Sequence, residues 1–94
     1  MTREDILAEV NKCVNTDRNR DYGEPEDNFK AIAGFWNCYL ESKGALKTPL
    51  TSEDVAILML LLKVARVATG GNKLDNYVDI AGYAVCGGEI CSKQ

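Results

Sequence analysis

Two cations interrupt the most apolar stretch of this 94-residue chain: Lys63 and Arg66 follow VAILMLLL at a separation of three, which puts them side by side on one face of a helix. An unpaired cation in a central helix is costly, so each must reach solvent along its aliphatic stem or meet an anion. A few residues on stand Asp75, Asn76, Asp79 and Tyr83, spaced so that a helix brings all four toward one point. Two carboxylates and an amide are hard oxygen ligands of the kind that hold Mg²⁺, an ion that keeps several waters and borrows further oxygens from substrate phosphates. Lys63 as a point charge and Arg66 as a planar fork suit phosphate directly. Two plainer readings stand beside this. Asp75 and Asp79 can be solvated opposite an apolar face of Tyr77, Ile80 and Ala84, or they can bridge to Lys63 and Arg66 as an internal clamp between helices.

A second group lies in TDRNRDYGEP, where Arg18 and Arg20 offer phosphate donors and Tyr22 a ring that can stack on a base. The alternative is a solvated loop. Trp36 and Phe29 are placed in the core. Glu53 and Asp54 sit where a helix wants capping and dipole-matched acids, with Asp54 as a third candidate metal ligand.

The elements that must position these residues are all helical. Thr2 with Asp5 forms a capping-box pattern ahead of Ile6, Val10 and Cys13, predicting a helix over 2–15. Residues 16–25 lack apolar periodicity and carry glycine and proline, predicting a loop. Pro25 opens a second helix with Phe29, Ile32, Ala33, Trp36 and Leu40 on one face, ended by SKGALKTP. Thr51 with Asp54 opens a third, apolar on every side and so expected at the centre; Gly70 and Gly71 stop it. A fourth runs from about Lys73 to Glu89, with Tyr77, Ile80, Ala81 and Ala84 inward. No stretch alternates with a period of two, so the fold expected is an all-α, antiparallel four-helix bundle-like single domain over residues 1–94.

Composition narrows the function. Net charge is -3 and the sequence pI about 4.8, so no basic field holds a long nucleic acid. With 46% hydrophobic residues the chain carries more apolar material than a domain this small easily hides, which predicts a homo-oligomer. The longest apolar run, Val55 to Leu62, is too short to span a membrane, and MTREDILAEV is not a secretory signal, so a cytoplasmic location is expected. Cys13, Cys38, Cys86 and Cys91 form no CxxC pair and the chain has no histidine, so reduced structural thiols are expected.

The stretches DYGEPEDNF, LTSEDVAILMLLLKVARVATGG and KLDNYVDIAGYA resemble a short phage and prophage family similar to the MazG-like, all-α nucleoside-triphosphate pyrophosphatases, over about residues 20–90. That resemblance implies a helical oligomer in which ExxE and ExxD pairs on successive helices bind Mg²⁺ and water attacks a triphosphate, releasing pyrophosphate and a monophosphate. Residue by residue, the ExxD element corresponds to Asn76–Asp79, with Asp75 as a replacement acid. The ExxE element has no counterpart, since Lys63 and Arg66 stand where acids are expected. Three functions therefore stay open: a Mg²⁺-dependent pyrophosphatase acting through Asp75 and Asp79, with Lys63, Arg66 and Asn76 on substrate; a phage protein that sequesters a cyclic or modified nucleotide used as a host immune signal; and a structural oligomer.

Overall fold

The computed structural model describes the backbone of residues 1–71 and 73–94, and the side chains of all of these except 17–19. The described residues are helical with no strand. Helix α1 (Arg3–Lys12) starts at the Thr2 capping box, where Thr2 N–H donates to Asp5 Oδ2 at 3.0 Å and Asp5 N–H to Thr2 Oγ1 at 3.1 Å. It then widens into a π turn over Cys13–Asp17 and continues as α2 (Arg18–Tyr22). The loop predicted over residues 16–25 is thus helical as far as Tyr22. Thr16, Arg20, Asp21 and Tyr22 are exposed there, and the chain leaves the helix only at Gly23, whose φ of 77° side chains disfavour.

Helix α3 (Pro25–Ser42) begins on proline with Glu26 and Asp27 in its first turn, and buries Pro25, Phe29 and Ala33. The connection to the next helix is pinned by Asn37, whose amide accepts from Leu50 N–H at 2.8 Å and donates to Leu50 C=O at 3.1 Å. Helix α4 (Ser52–Thr69) starts at the Thr51–Asp54 capping box. Helix α5 (Lys73–Ser92) returns along it after the Gly70–Gly71 turn, and these two helices make the most extensive packing in the molecule. Helix α3 packs on α4, and α1 on α5. The core is Val10, Val14, Phe29, Ala33, Val55, Ala56, Val78, Cys86 and Ile90.

Two expectations about faces are corrected. Helix α4 is not enclosed: only Val55 and Ala56 are buried, while Ile57, Leu58, Leu61, Leu62 and Val64 lie exposed, because α3 and α5 cover one side of it. In α5, Tyr77 and Ala84 point outward; Asn76, Asp79, Tyr83, Cys86 and Ile90, spaced 3-4-3-4, run along the inward side, Asp79 and Tyr83 half-buried, with buried Val78, Gly82 and Gly87 beside them. Gly82 and Gly87 decide this choice. A Cβ on Gly87 would lie 3.0 Å from Ala56 Cβ and one on Gly82 3.4 Å from Val14 Cγ1, so α5 presents its small residues where α4 and the π turn approach. Tyr83 turns in against Phe29, ring centroids 6.1 Å apart.

Candidate functional site

The last two turns of α4 and the first two of α5 meet at the Gly70–Gly71 elbow. Both glycines take positive φ, 110° and 94°, which lets the chain reverse within a few residues and sets the two helix ends face to face. Between them lies a cavity of about 310 Å³ lined by Lys63, Arg66, Gly70, Gly71, Asp75, Asn76 and Asp79. The five polar residues singled out from α4 and the start of α5 therefore share one concavity.

Within it Lys63 Nζ meets Asp79 Oδ2 at 3.1 Å, the lysine side chain only 15% exposed and the carboxylate 39%. Each neutralises the other, which is how α5 can turn a carboxylate toward α4. Arg66 is exposed and makes no ion pair among the described residues. Asn76 is the one buried polar residue among those described, at 7% exposure, and its amide has no hydrogen-bonding partner among them. A buried amide without a partner is rare in folded proteins, and it lies on the cavity wall. Asp75 is exposed at the rim.

The remaining candidates lie elsewhere. Tyr83 is one helical turn beyond Asp79 and lines a different cavity with it. Arg20 is exposed and paired with its neighbour Asp21, Nε to Oδ1 at 3.3 Å, and Tyr22 is exposed; neither lines the elbow. The Arg18 side chain falls outside the described residues. Asp54 uses its carboxylate to cap the far end of α4, nine residues and about 13 Å of helix from Lys63. Gly70, Gly71 and the small residues of α5 escaped the sequence reading as site residues, although the 3-4-3-4 stripe from Asn76 to Ile90 was a legible sign of which face turns inward.

Asp75, Asn76 and Asp79 are the oxygen ligands that the elbow could offer a Mg²⁺ ion. Only two carboxylates line the elbow, one of them engaged by Lys63, and no group of three or more Cys, Asp or Glu among the described residues is gathered closely enough to hold a metal ion.

The model of a domain of unknown function, DUF6378, matches residues 5–91. The chain belongs to this family. It is similar to the Gene 55 protein of Mycobacterium phage D29, 42% identical over 83 residues, covering 88% of this chain and 51% of the relative. The Gene 55 protein of Mycobacterium phage L5 is 43% identical over 79 residues, covering 84% and 47%. The chain thus spans about half the length of these phage relatives. No solved structure matches it. No helix among the described residues is long and apolar enough to cross a membrane.

Proposed function

We propose that the α4–α5 elbow captures a phosphorylated nucleotide without metal-assisted hydrolysis. The observation that carries this is Asn76, a buried amide with no partner among the described residues, on the wall of a cavity that also holds the exposed Arg66. A helix clamp accounts for Lys63 and Asp79, and solvent for the exposed Arg66, but neither explains the buried Asn76 amide. Arg66 supplies a planar fork for phosphate oxygens, the first turn of α5 contributes the positive end of its dipole, and Asn76 supplies a neutral donor and acceptor. Lys63, held by Asp79, sits ready to exchange part of that pairing for a phosphate oxygen. The resemblance to nucleotide pyrophosphatases supports a nucleotide among phosphorylated ligands, and the missing acids favour capture over cleavage. In a phage protein, capture without turnover suits removal of a cyclic or modified nucleotide that signals infection to the host.

Thermal shift with linear and cyclic nucleotides tests this. Stabilisation without metal that Arg66→Ala abolishes is expected; no shift with any nucleotide, or pyrophosphate release when Mg²⁺ is added to a nucleoside triphosphate, overturns it.

We also infer that the outer face of α4 is covered by a second copy of this chain. Ile57, Leu58, Leu61, Leu62 and Val64 expose on the order of 400 Å² of apolar surface with no charge among them, the scale at which a patch marks an interface. A neutral, self-similar stripe suits a two-fold helix pair, while the net charge of -3 works against contact through the more acidic surfaces. Light scattering should give a dimer or a multiple of one, and Leu61→Glu a monomer; a monomeric wild-type chain at micromolar concentration refutes it.

A further inference from the structure

The charges that face the elbow balance. Among the described residues four charged side chains line it, Lys63 and Arg66 from α4 and Asp75 and Asp79 from α5, so the lining as a whole is neutral. Lys63 and Asp79 meet at 3.1 Å and offset each other. That leaves Arg66 as the cation a ligand meets and Asp75 as an anion on the same wall, both exposed. Lys73 opens α5 but does not line the cavity, and the net charge of -3 adds no longer-range attraction for anions.

We propose that Asp75 makes the elbow selective for phosphodiesters over phosphate monoesters and polyphosphates. The inference rests on the phosphate reading of the elbow and adds to it which class of phosphorylated nucleotide is taken. A phosphodiester carries one negative charge at neutral pH. A terminal phosphate carries close to two, its second ionisation lying near pH ~6, and a polyphosphate carries more. Arg66 matches the first charge, its fork taking two phosphate oxygens. A second charge has no cation left to itself and faces the Asp75 carboxylate, while the cost of taking an anion out of water rises steeply with its charge. Asn76 fits the same choice. It is buried, neutral and without a partner among the described residues, so it hydrogen-bonds a phosphate oxygen and adds no positive charge to the site. The positive end of the α5 dipole is tempered in the same way, because Asp75 stands in the first turn of that helix.

Nuclear magnetic resonance titration at neutral pH, in buffer without divalent metal, tests this with the Asn76 side-chain amide signals as the readout. The ligands are the 3′,5′-cyclic monophosphates and the 5′-monophosphates of adenosine, guanosine, cytidine and uridine, compared within each base so that the base cancels. The cyclic diester should bind about threefold or more tightly than its partner, since one charge about 6 Å from another in a water-like dielectric is worth about threefold in affinity, and more in a partly enclosed cavity. Asp75→Asn removes that repulsion once for the diester and nearly twice for the monoester. It should tighten the first about threefold and the second up to about tenfold, so that the preference narrows by about threefold. An acid that served only the helix would change the melting temperature and leave this ratio alone. Asp75 is exposed and asparagine keeps its outline, so the variant should fold; Asp75→Ser removes the same charge and replaces it if it does not. Monophosphates that bind the wild type as tightly as their cyclic partners refute the charge selection and leave the phosphate pocket standing, as does a ratio that loss of the Asp75 charge fails to move. If none of the ligands shifts the Asn76 signals, the phosphate reading falls and this inference falls with it.

Discussion

Replacing Asn76 by leucine separates a ligand cradle from a structural helix contact. In the free protein Asn76 is 93% buried and its amide lacks a partner among the described residues, so the fold bears the cost of taking that group out of water. Such a cost is about 1–3 kcal/mol, and leucine has the same branched outline, with bulkier methyl groups and no polar atom to desolvate. Asn76→Leu should therefore stabilise the ligand-free chain by about 1–3 kcal/mol, raising its melting temperature by roughly 5–15 °C at this chain length. The same variant should lose the stabilisation that a nucleotide confers on the wild type, which reaches about 2.7 kcal/mol when ligand stands at one hundred times its dissociation constant. Urea unfolding followed by circular dichroism, at fixed chain concentration because association adds to stability, measures the first effect; the nucleotide thermal shift measures the second. A variant destabilised by more than about 1 kcal/mol would mean that the amide is satisfied in the free protein, and the main support for the elbow as a binding site would be gone.

Three further outcomes follow from the geometry. Asp54→Ala should cost about 1 kcal/mol of stability through loss of the α4 cap and leave nucleotide shifts untouched; a changed ligand response would restore Asp54 to the site. Gly87→Val should destabilise by about 1–3 kcal/mol, since a Cβ already lies 3.0 Å from Ala56 and the two branches have nowhere to go; unchanged urea unfolding would show that α4 and α5 are not packed so closely. Lys63→Met and Asp79→Asn, alone and together, should show a coupling of about 0.5–2 kcal/mol, modest because Asp79 keeps water contact; strictly additive effects would show that the 3.1 Å pair does not persist in solution.

How much of this was legible in the sequence follows from which signals are local. The capping boxes at Thr2 and Thr51 depend on residues three apart, and both form as the pattern predicts. Pro25 and the Gly70–Gly71 pair punctuate the chain for reasons of backbone sterics alone, and helices begin and end there. The meeting of Lys63 and Arg66 with Asp75, Asn76 and Asp79 was also within reach, because a short turn obliges the two helix ends it joins to be neighbours. Residues 16–22 misled because a helix without an apolar face, exposed at Thr16 and from Arg20 to Tyr22, shares its composition with a loop.

The sequence by itself determined the capped helix starts, the stop at Gly70–Gly71 and the pairing of α4 with α5, since each depends on residues close together along the chain. Only the tertiary structure decided which side of each helix turns inward. Tyr77 and Ala84 looked like core and face outward, and Asp79, left open between solvent, a ligand and a bridge to the cations, meets Lys63, because the choice is made by fit between helices: Gly87 admits Ala56, Gly82 admits Val14, and Lys63 neutralises the acid that this rotation brings in. The exposed stripe on α4 has the same origin, for a hydrophobic run specifies burial but not the surface that supplies it.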